Sequence, residues 1–242
     1  MAAKEGLTDY KAGLEAYSGG DYAAAFRHWE AGPAAGSLEA TIGLGRCFAN
    51  GHGTKRDPAR AVQLYAEAAA SGHPVAMLNL AQHLIQGVGV GRDPARAAGL
   101  LERAAELGQA PALTLLASLY ESGTGVRKDA AKAVQLLQEA VDKGHPPALV
   151  NLGVMCDTGA GLPEPDPARA AALYRRAVYL GVAEAMTNLG WLYQQGRGVE
   201  RDVAEAVTLY ERAVALDHVA AAENLAALLE TGAPPEVPAD PA

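Results

Sequence analysis

Apolar residues recur along this chain at helical spacing, inside a unit that itself repeats. Ala40, Leu44 and Phe48 stand four apart and line one face of a helix, with Gly45 beside them allowing a neighbouring backbone to approach. The same frame returns with Ala at positions 40, 76, 112, 148, 185 and 221, each followed eleven residues later by Gly at 51, 87, 123, 159, 196 and 232. The period is 36 residues, with one step of 37. Self-similarity at this period predicts a solenoid array, in which no unit can bury its apolar face without its neighbours.

Each unit predicts two helices. The first, helix A, ends at the glycine, a residue that tolerates the left-handed backbone of a helix terminus. A short loop then reaches Asp57, Asp93, Asp129, Asp166 or Asp202. In three loops the aspartate precedes Pro58, Pro94 or Pro167, so its carboxylate caps helix B while proline fills the first turn, where its missing N–H costs nothing. Helix B alternates small and large residues, as in Ala61, Leu64, Tyr65, Ala68 and Ala69, and again in Ala170, Leu173, Tyr174, Ala177 and Val178. Alanine permits close helix crossing, and leucine and tyrosine fill the remaining groove. The opening unit, around Gly13 to Phe26, has a shorter loop.

Composition narrows the partners. The chain carries 20 Lys+Arg against 28 Asp+Glu, a net charge near −8, which repels a phosphate backbone and argues against nucleic acid. Half the residues are hydrophobic and only 5% aromatic, with alanine prominent, a composition suited to packed helices. No apolar run has the length of a signal peptide or a membrane span, so no membrane insertion and a cytoplasmic location are expected. Cys47 and Cys156 fall three repeats apart, too far for a disulfide at helix spacings of about 8–10 Å, and read as free core thiols.

The pattern Ala-x-x-x-Leu-Gly/Ala, then Gly-x-Gly-Val, Asp and Ala-x-x-Leu-Tyr-x-x-Ala-Ala closely resembles the Sel-one-like repeat family, a relative of the tetratricopeptide repeat. Gly196-Arg197-Gly198-Val199-Glu200-Arg201-Asp202 is its fullest loop, and Gly87 to Val90 and Gly123 to Val126 also match. The resemblance implies an all-α fold, a right-handed α/α solenoid or superhelix of tetratricopeptide-like helix pairs with a period of ~36 residues. It divides the chain into an N-terminal tetratricopeptide-like pair (1–37), five full repeat pairs plus a closing helix (38–232), and a Pro-rich tail (233–242) expected to be disordered. The loop from Gly159 to Asp166 departs from the pattern by one extra residue and two prolines, and is expected to protrude or stiffen. The family association with adaptors and scaffolds implies binding of a protein or peptide in the concave groove. The alternative is an inhibitor or immunity-type protein that blocks one enzyme or toxin.

Recognition residues are sought where repeats differ, because packing demands sameness. By analogy with tetratricopeptide grooves these are Arg46 and Asn50, Gln82 and Gln86, Ser118 and Glu121, Val154 and Asp157, and Trp191, Gln194 and Gln195. Trp191 is the foremost, since a part-exposed indole is a frequent interface anchor. Asn79, Asn151, Asn188 and Asn224 recur at one position and read first as a structural ladder, second as amides for a bound peptide backbone. Trp29 reads as core. His73, His145 and His218 share one repeat position and are expected as solvated or C-terminal capping side chains, not joint metal ligands. His52 and His83 lack a ligand at metal spacing. No Ser-x-x-Lys, Gly-x-Ser-x-Gly or His-Glu-x-x-His occurs, and Gly87-Val88-Gly89-Val90-Gly91 follows a helix and recurs with the repeat, unlike a dinucleotide loop. The expectation is a non-enzyme without cofactor or metal.

Overall fold

The computed structural model describes residues 2–230, with side chains from Tyr10 onward. The Pro-rich tail lies outside the described residues. Two compact units divide at Lys128 and Asp129. The first holds α1 (Ala2–Ser18), α2 (Tyr22–Glu30), α3 (Leu38–Asn50), α4 (Pro58–Ala70), α5 (Pro74–Gln86), α6 (Pro94–Glu106) and α7 (Ala110–Ser122). The second holds α8 (Ala130–Asp142), α9 (Pro146–Thr158), α10 (Pro167–Tyr179), α11 (Ala183–Gln195), α12 (Val203–Val214) and α13 (Val219–Glu230). Among the described residues every element is a helix, as the 3.6-residue spacing requires, and the repeated pairs stack as an α/α solenoid.

One aspartate per repeat serves two helices. The backbone N–H of Asp57, Asp93, Asp166 and Asp202 donates to a carbonyl near the end of helix A, at Phe48, Leu84, Cys156 and Tyr193 respectively. The Asp carboxylates then accept from the third residue onward, Asp57 from Arg60 at 3.0 Å and Asp93 from Arg96 at 3.0 Å, with Asp129, Asp166 and Asp202 repeating the cap at 2.9 Å. Helix A stops at a left-handed glycine in each of α3, α5, α7, α9 and α11. Arg56, Arg92 and Arg201 reach back across the loop, each Nε donating to a carbonyl at the end of helix A: Ala49 at 3.1 Å, Ile85 at 3.0 Å and Gln194 at 3.1 Å. A cation at that terminus also meets the negative end of the helix dipole. In the longer loop Pro165 stands against Gly159 instead, and Pro163, Glu164 and Pro165 are exposed. Asp93→Ala should lower stability by about 1 kcal/mol, and Asp93→Ser should recover most of it, read from urea denaturation followed by helical circular dichroism.

In the first unit Trp29 is fully buried among Ala25, Ala40, Leu44, Cys47 and Leu64, its indole N–H donating to the Tyr10 carbonyl at 3.2 Å. Gly13 and Gly43 leave room for the ring: a Cβ on either would lie 2.2 or 2.5 Å from it. Later repeats use tyrosine in the same way. A Cβ on Gly45 would lie 2.7 Å from Tyr65, one on Gly153 2.4 Å from Tyr174, and one on Gly190 2.8 Å from Tyr210. All three tyrosines are buried, and desolvation raises each phenol above its ordinary range, Tyr210 to about 12.

Candidate protein-binding site

The repeat-variable positions fare differently in the two units. In the first, Asn50 ends α3, Gln82 and Gln86 lie on α5, and Ser118 and Glu121 lie on α7, all exposed. Ser118 turns its hydroxyl back onto its own helix, donating to Leu115 at 2.8 Å. Arg46 is taken up by its own fold. Its guanidinium lies 4.0 Å above the Tyr17 ring and 5.5 Å from Trp29, and its Nε is buried without a hydrogen bond. This arrangement follows from the aromatic opening pair, where Tyr22 also stacks on His52 at 4.0 Å and Tyr17 hydrogen-bonds His52 at 2.7 Å.

In the second unit, two of the sequence candidates converge on a third residue. Arg197 extends from the loop after α11 and donates from Nε to the Asp157 carboxylate at 2.7 Å, and from a second nitrogen to the Asp157 carbonyl. Its guanidinium sits 5.9 Å from the Trp191 ring centre. The forked contact to one residue fixes the planar group, and the fixed plane braces the indole. Trp191 remains 39% exposed and Val154, at the same position of α9, 39% exposed. Gln195 is exposed, whereas Gln194 accepts from the Tyr210 hydroxyl at 2.9 Å. Asn151 and Asn188 stand on these same helices, and none of Asn79, Asn151, Asn188 and Asn224 forms a side-chain hydrogen bond with another described residue, so the amide ladder is not formed. Arg197 was not a sequence candidate. Its signal is that the position between the two loop glycines, otherwise His52, Val88, Thr124 and Ala160, is here the one charged residue that is always ionised.

The remaining polar groups carry structure. His73 and His145 each donate a backbone N–H to a carbonyl near the end of the preceding helix B, Ala68 at 3.1 Å and Ala140 at 3.0 Å, and each stands just before α5 or α9; both are half-buried, a correction to the solvated reading. The turn after helix B is so short that the residue following it already opens the next helix A. His218 shares a hydrogen bond with the Thr187 hydroxyl at 2.9 Å, and burial lowers the pKa of His145. Among the described residues no group of three or more His, Cys, Asp or Glu side chains could hold a metal, and no helix is long and apolar enough to cross a membrane. Both thiols are buried, and desolvation pushes Cys47 up to about 11 and Cys156 upward too, away from the reactive thiolate.

Comparison with known proteins agrees with this architecture. The Sel1 repeat family model matches residues 38–73, 74–109, 110–145, 146–182, 183–218 and 219–242. A Sel1 repeat protein from Oxalobacter formigenes is 29% identical, with a TM-score of 0.82 over 94% of this chain and 94% of its own. A protective antigen present in uropathogenic Escherichia coli strains, displaying an SLR fold, is 27% identical with a TM-score of 0.78. The match covers 96% of this chain but 50% of that one, so this chain spans half the antigen's length. An immunity protein from Pseudomonas aeruginosa is 27% identical with a TM-score of 0.53, over 73% of this chain and 65% of its own. No curated protein matches the chain significantly.

Proposed function

This chain belongs to the Sel1 repeat family, and from that premise we propose that it is an adaptor that binds a partner protein through the helix-A face of its second unit, centred on Trp191. Sel1 repeats generally mediate protein–protein interaction and are typically non-enzymatic scaffolds. The observation that carries the reading is the braced indole: a large amphipathic ring, 39% exposed, held by Arg197, which Asp157 in turn holds. A side chain already fixed before binding loses little freedom on association, the property of an interface anchor. Asp157, Gln195 and the unpaired amides of Asn151 and Asn188 supply polar contacts around it. A net charge near −8 disfavours a nucleic-acid partner.

A second reading, an immunity-type inhibitor, is favoured by the similarity to the Pseudomonas aeruginosa immunity protein. A toxin gene beside this one would separate it from the adaptor reading. Affinity capture from the native host's extract tests the site itself, with wild type and Trp191→Ala compared after circular dichroism has shown both folded. One dominant partner is expected, bound about tenfold or more weakly by Trp191→Ala. A partner retained at full affinity by the folded variant removes this face from the interface.

A further inference from the structure

The second unit carries another surface, at the ends of its B helices, lined by neither Trp191 nor the polar residues around it. A cleft of about 460 Å³ opens there between the end of α8, the turn into α9 and the end of α10. Val141, Leu149 and Leu180 provide apolar walls, and Arg175, Arg176 and Tyr179 complete the lining. Tyr179 is 90% exposed and Leu180 53% exposed, so this apolar surface has no partner in the unit.

The cleft is peculiar to one repeat. At the positions of Tyr179 and Leu180 the other repeats have Ala70-Ser71, Glu106-Leu107, Asp142-Lys143 and Ala215-Leu216, never an aromatic beside an aliphatic. At the positions of Arg175 and Arg176 they have Ala66-Glu67, Glu102-Arg103, Gln138-Glu139 and Glu211-Arg212. Each of the other repeats therefore places a glutamate where this one has only arginine. Stacking does not require an arginine pair or an exposed Tyr-Leu pair, since the remaining repeats stack without them; at the position of Arg175, Glu102 accepts from the Tyr120 hydroxyl at 3.4 Å. Arg175 donates to the Tyr193 hydroxyl at 3.0 Å and neither arginine has a carboxylate within ion-pairing distance among the described residues. The nearby Glu139 is held by Lys143 at 3.7 Å, and Asp142 accepts from Gln138 at 3.0 Å. Two guanidinium groups without a carboxylate partner beside an open apolar pocket, in a chain of net charge −8, mark a local reversal of charge.

We propose that this cleft binds a partner polypeptide segment in which an acidic residue adjoins a large apolar side chain, the carboxylate against Arg175 and Arg176 and the apolar group against Val141, Leu149 and Leu180. Guanidinium suits a carboxylate because its planar N–H fork matches the two oxygens. The volume suits one large side chain and its neighbour, so recognition is of a short motif and not a whole helix face.

The test pans a random heptapeptide library on the full chain, with Arg175→Glu/Arg176→Glu as a parallel target. Both substitutions are exposed, and circular dichroism checks the fold, with Arg176→Gln as a milder second variant. Enriched peptides should pair Asp or Glu with a neighbouring Leu, Phe or Trp. In fluorescence anisotropy they should bind the reversed variant at least about tenfold more weakly, lose affinity as salt rises, and bind Trp191→Ala as tightly as wild type. Enrichment without that acidic–apolar pairing, equal binding to the reversed variant, or no enrichment over the variant overturns the proposal. Unchanged binding to Trp191→Ala keeps this outcome separate from that of the helix-A face.

Discussion

Gly89→Ala should destabilise the chain by about 2–5 kcal/mol, well beyond the about 1–2 kcal/mol expected for Gly108→Ala. Both glycines have left-handed backbone, φ +75° at Gly89 and +88° at Gly108, so both substitutions incur the left-handed penalty. They differ in what surrounds them. A Cβ on Gly108 meets nothing within 4 Å, whereas one on Gly89 would lie 2.4 Å from the Pro58 carbonyl group and 2.7 Å from the Ala59 nitrogen. These are backbone atoms in the first turn of the preceding repeat's helix B, and they cannot rotate aside as a side chain would. Relief requires the two repeats to separate. The arrangement recurs at Gly53 on Tyr22, Gly125 on Pro94, Gly161 on Ala130 and Gly198 on Pro167, so this second loop glycine is where one repeat seats on the one before it. Urea denaturation of the two variants, followed by helical circular dichroism, measures the difference. Equal losses would mean that Gly89 serves only its own turn.

That contact shows why part of the fold was legible in sequence and part was not. Helix periodicity, the aspartate starts, three of them Asp-Pro, and the glycine stops are local, set by residues within a few positions of one another, and they recur from repeat to repeat. The Gly-x-Gly loop is equally visible as a pattern. Its second glycine, however, answers to Pro58 one repeat upstream, and only packing brings them together. The same holds for the site. Trp191 and Asp157 stood out because they lie at positions that differ between repeats, unlike the recurrent packing positions, but Arg197, which joins them, lies inside the loop motif and is masked by it. Arg46 looked equivalent to Trp191 by register, yet the opening pair surrounds it with Tyr17 and Trp29, which later repeats lack. Arg175 and Arg176 lie on helix B, outside the helix-A positions that a groove analogy singles out, and their signal in the sequence is a change of charge against the same positions of the other repeats.

Gly153→Ala should cost about 1–3 kcal/mol in the wild-type background and little or nothing beside Tyr174→Leu, a coupling of about 1 kcal/mol or more. In an ordinary helix the substitution would stabilise, since alanine is favoured over glycine by about 1 kcal/mol. Here the new methyl carbon would sit 2.4 Å from the Tyr174 ring, and that ring is buried with no free end to swing away. Overpacking against a rigid ring therefore reverses the sign that helix propensity predicts. The chain already contains the compensated form. Where helix B carries tyrosine at this register, at 65, 174 and 210, helix A carries Gly45, Gly153 and Gly190. Where it carries Leu101 or Leu137, helix A carries Ala81 or Ala117. The two positions thus trade volume, a small residue with a large ring or a methyl group with a branched chain. Tyr174→Leu alone should leave a gap over Gly153, and the double variant should refill it as Ala81 and Leu101 do. A double-mutant cycle by urea denaturation decides the point: additive losses would mean that the two positions are filled independently, and that the recurrence of glycine with tyrosine reflects something other than their contact.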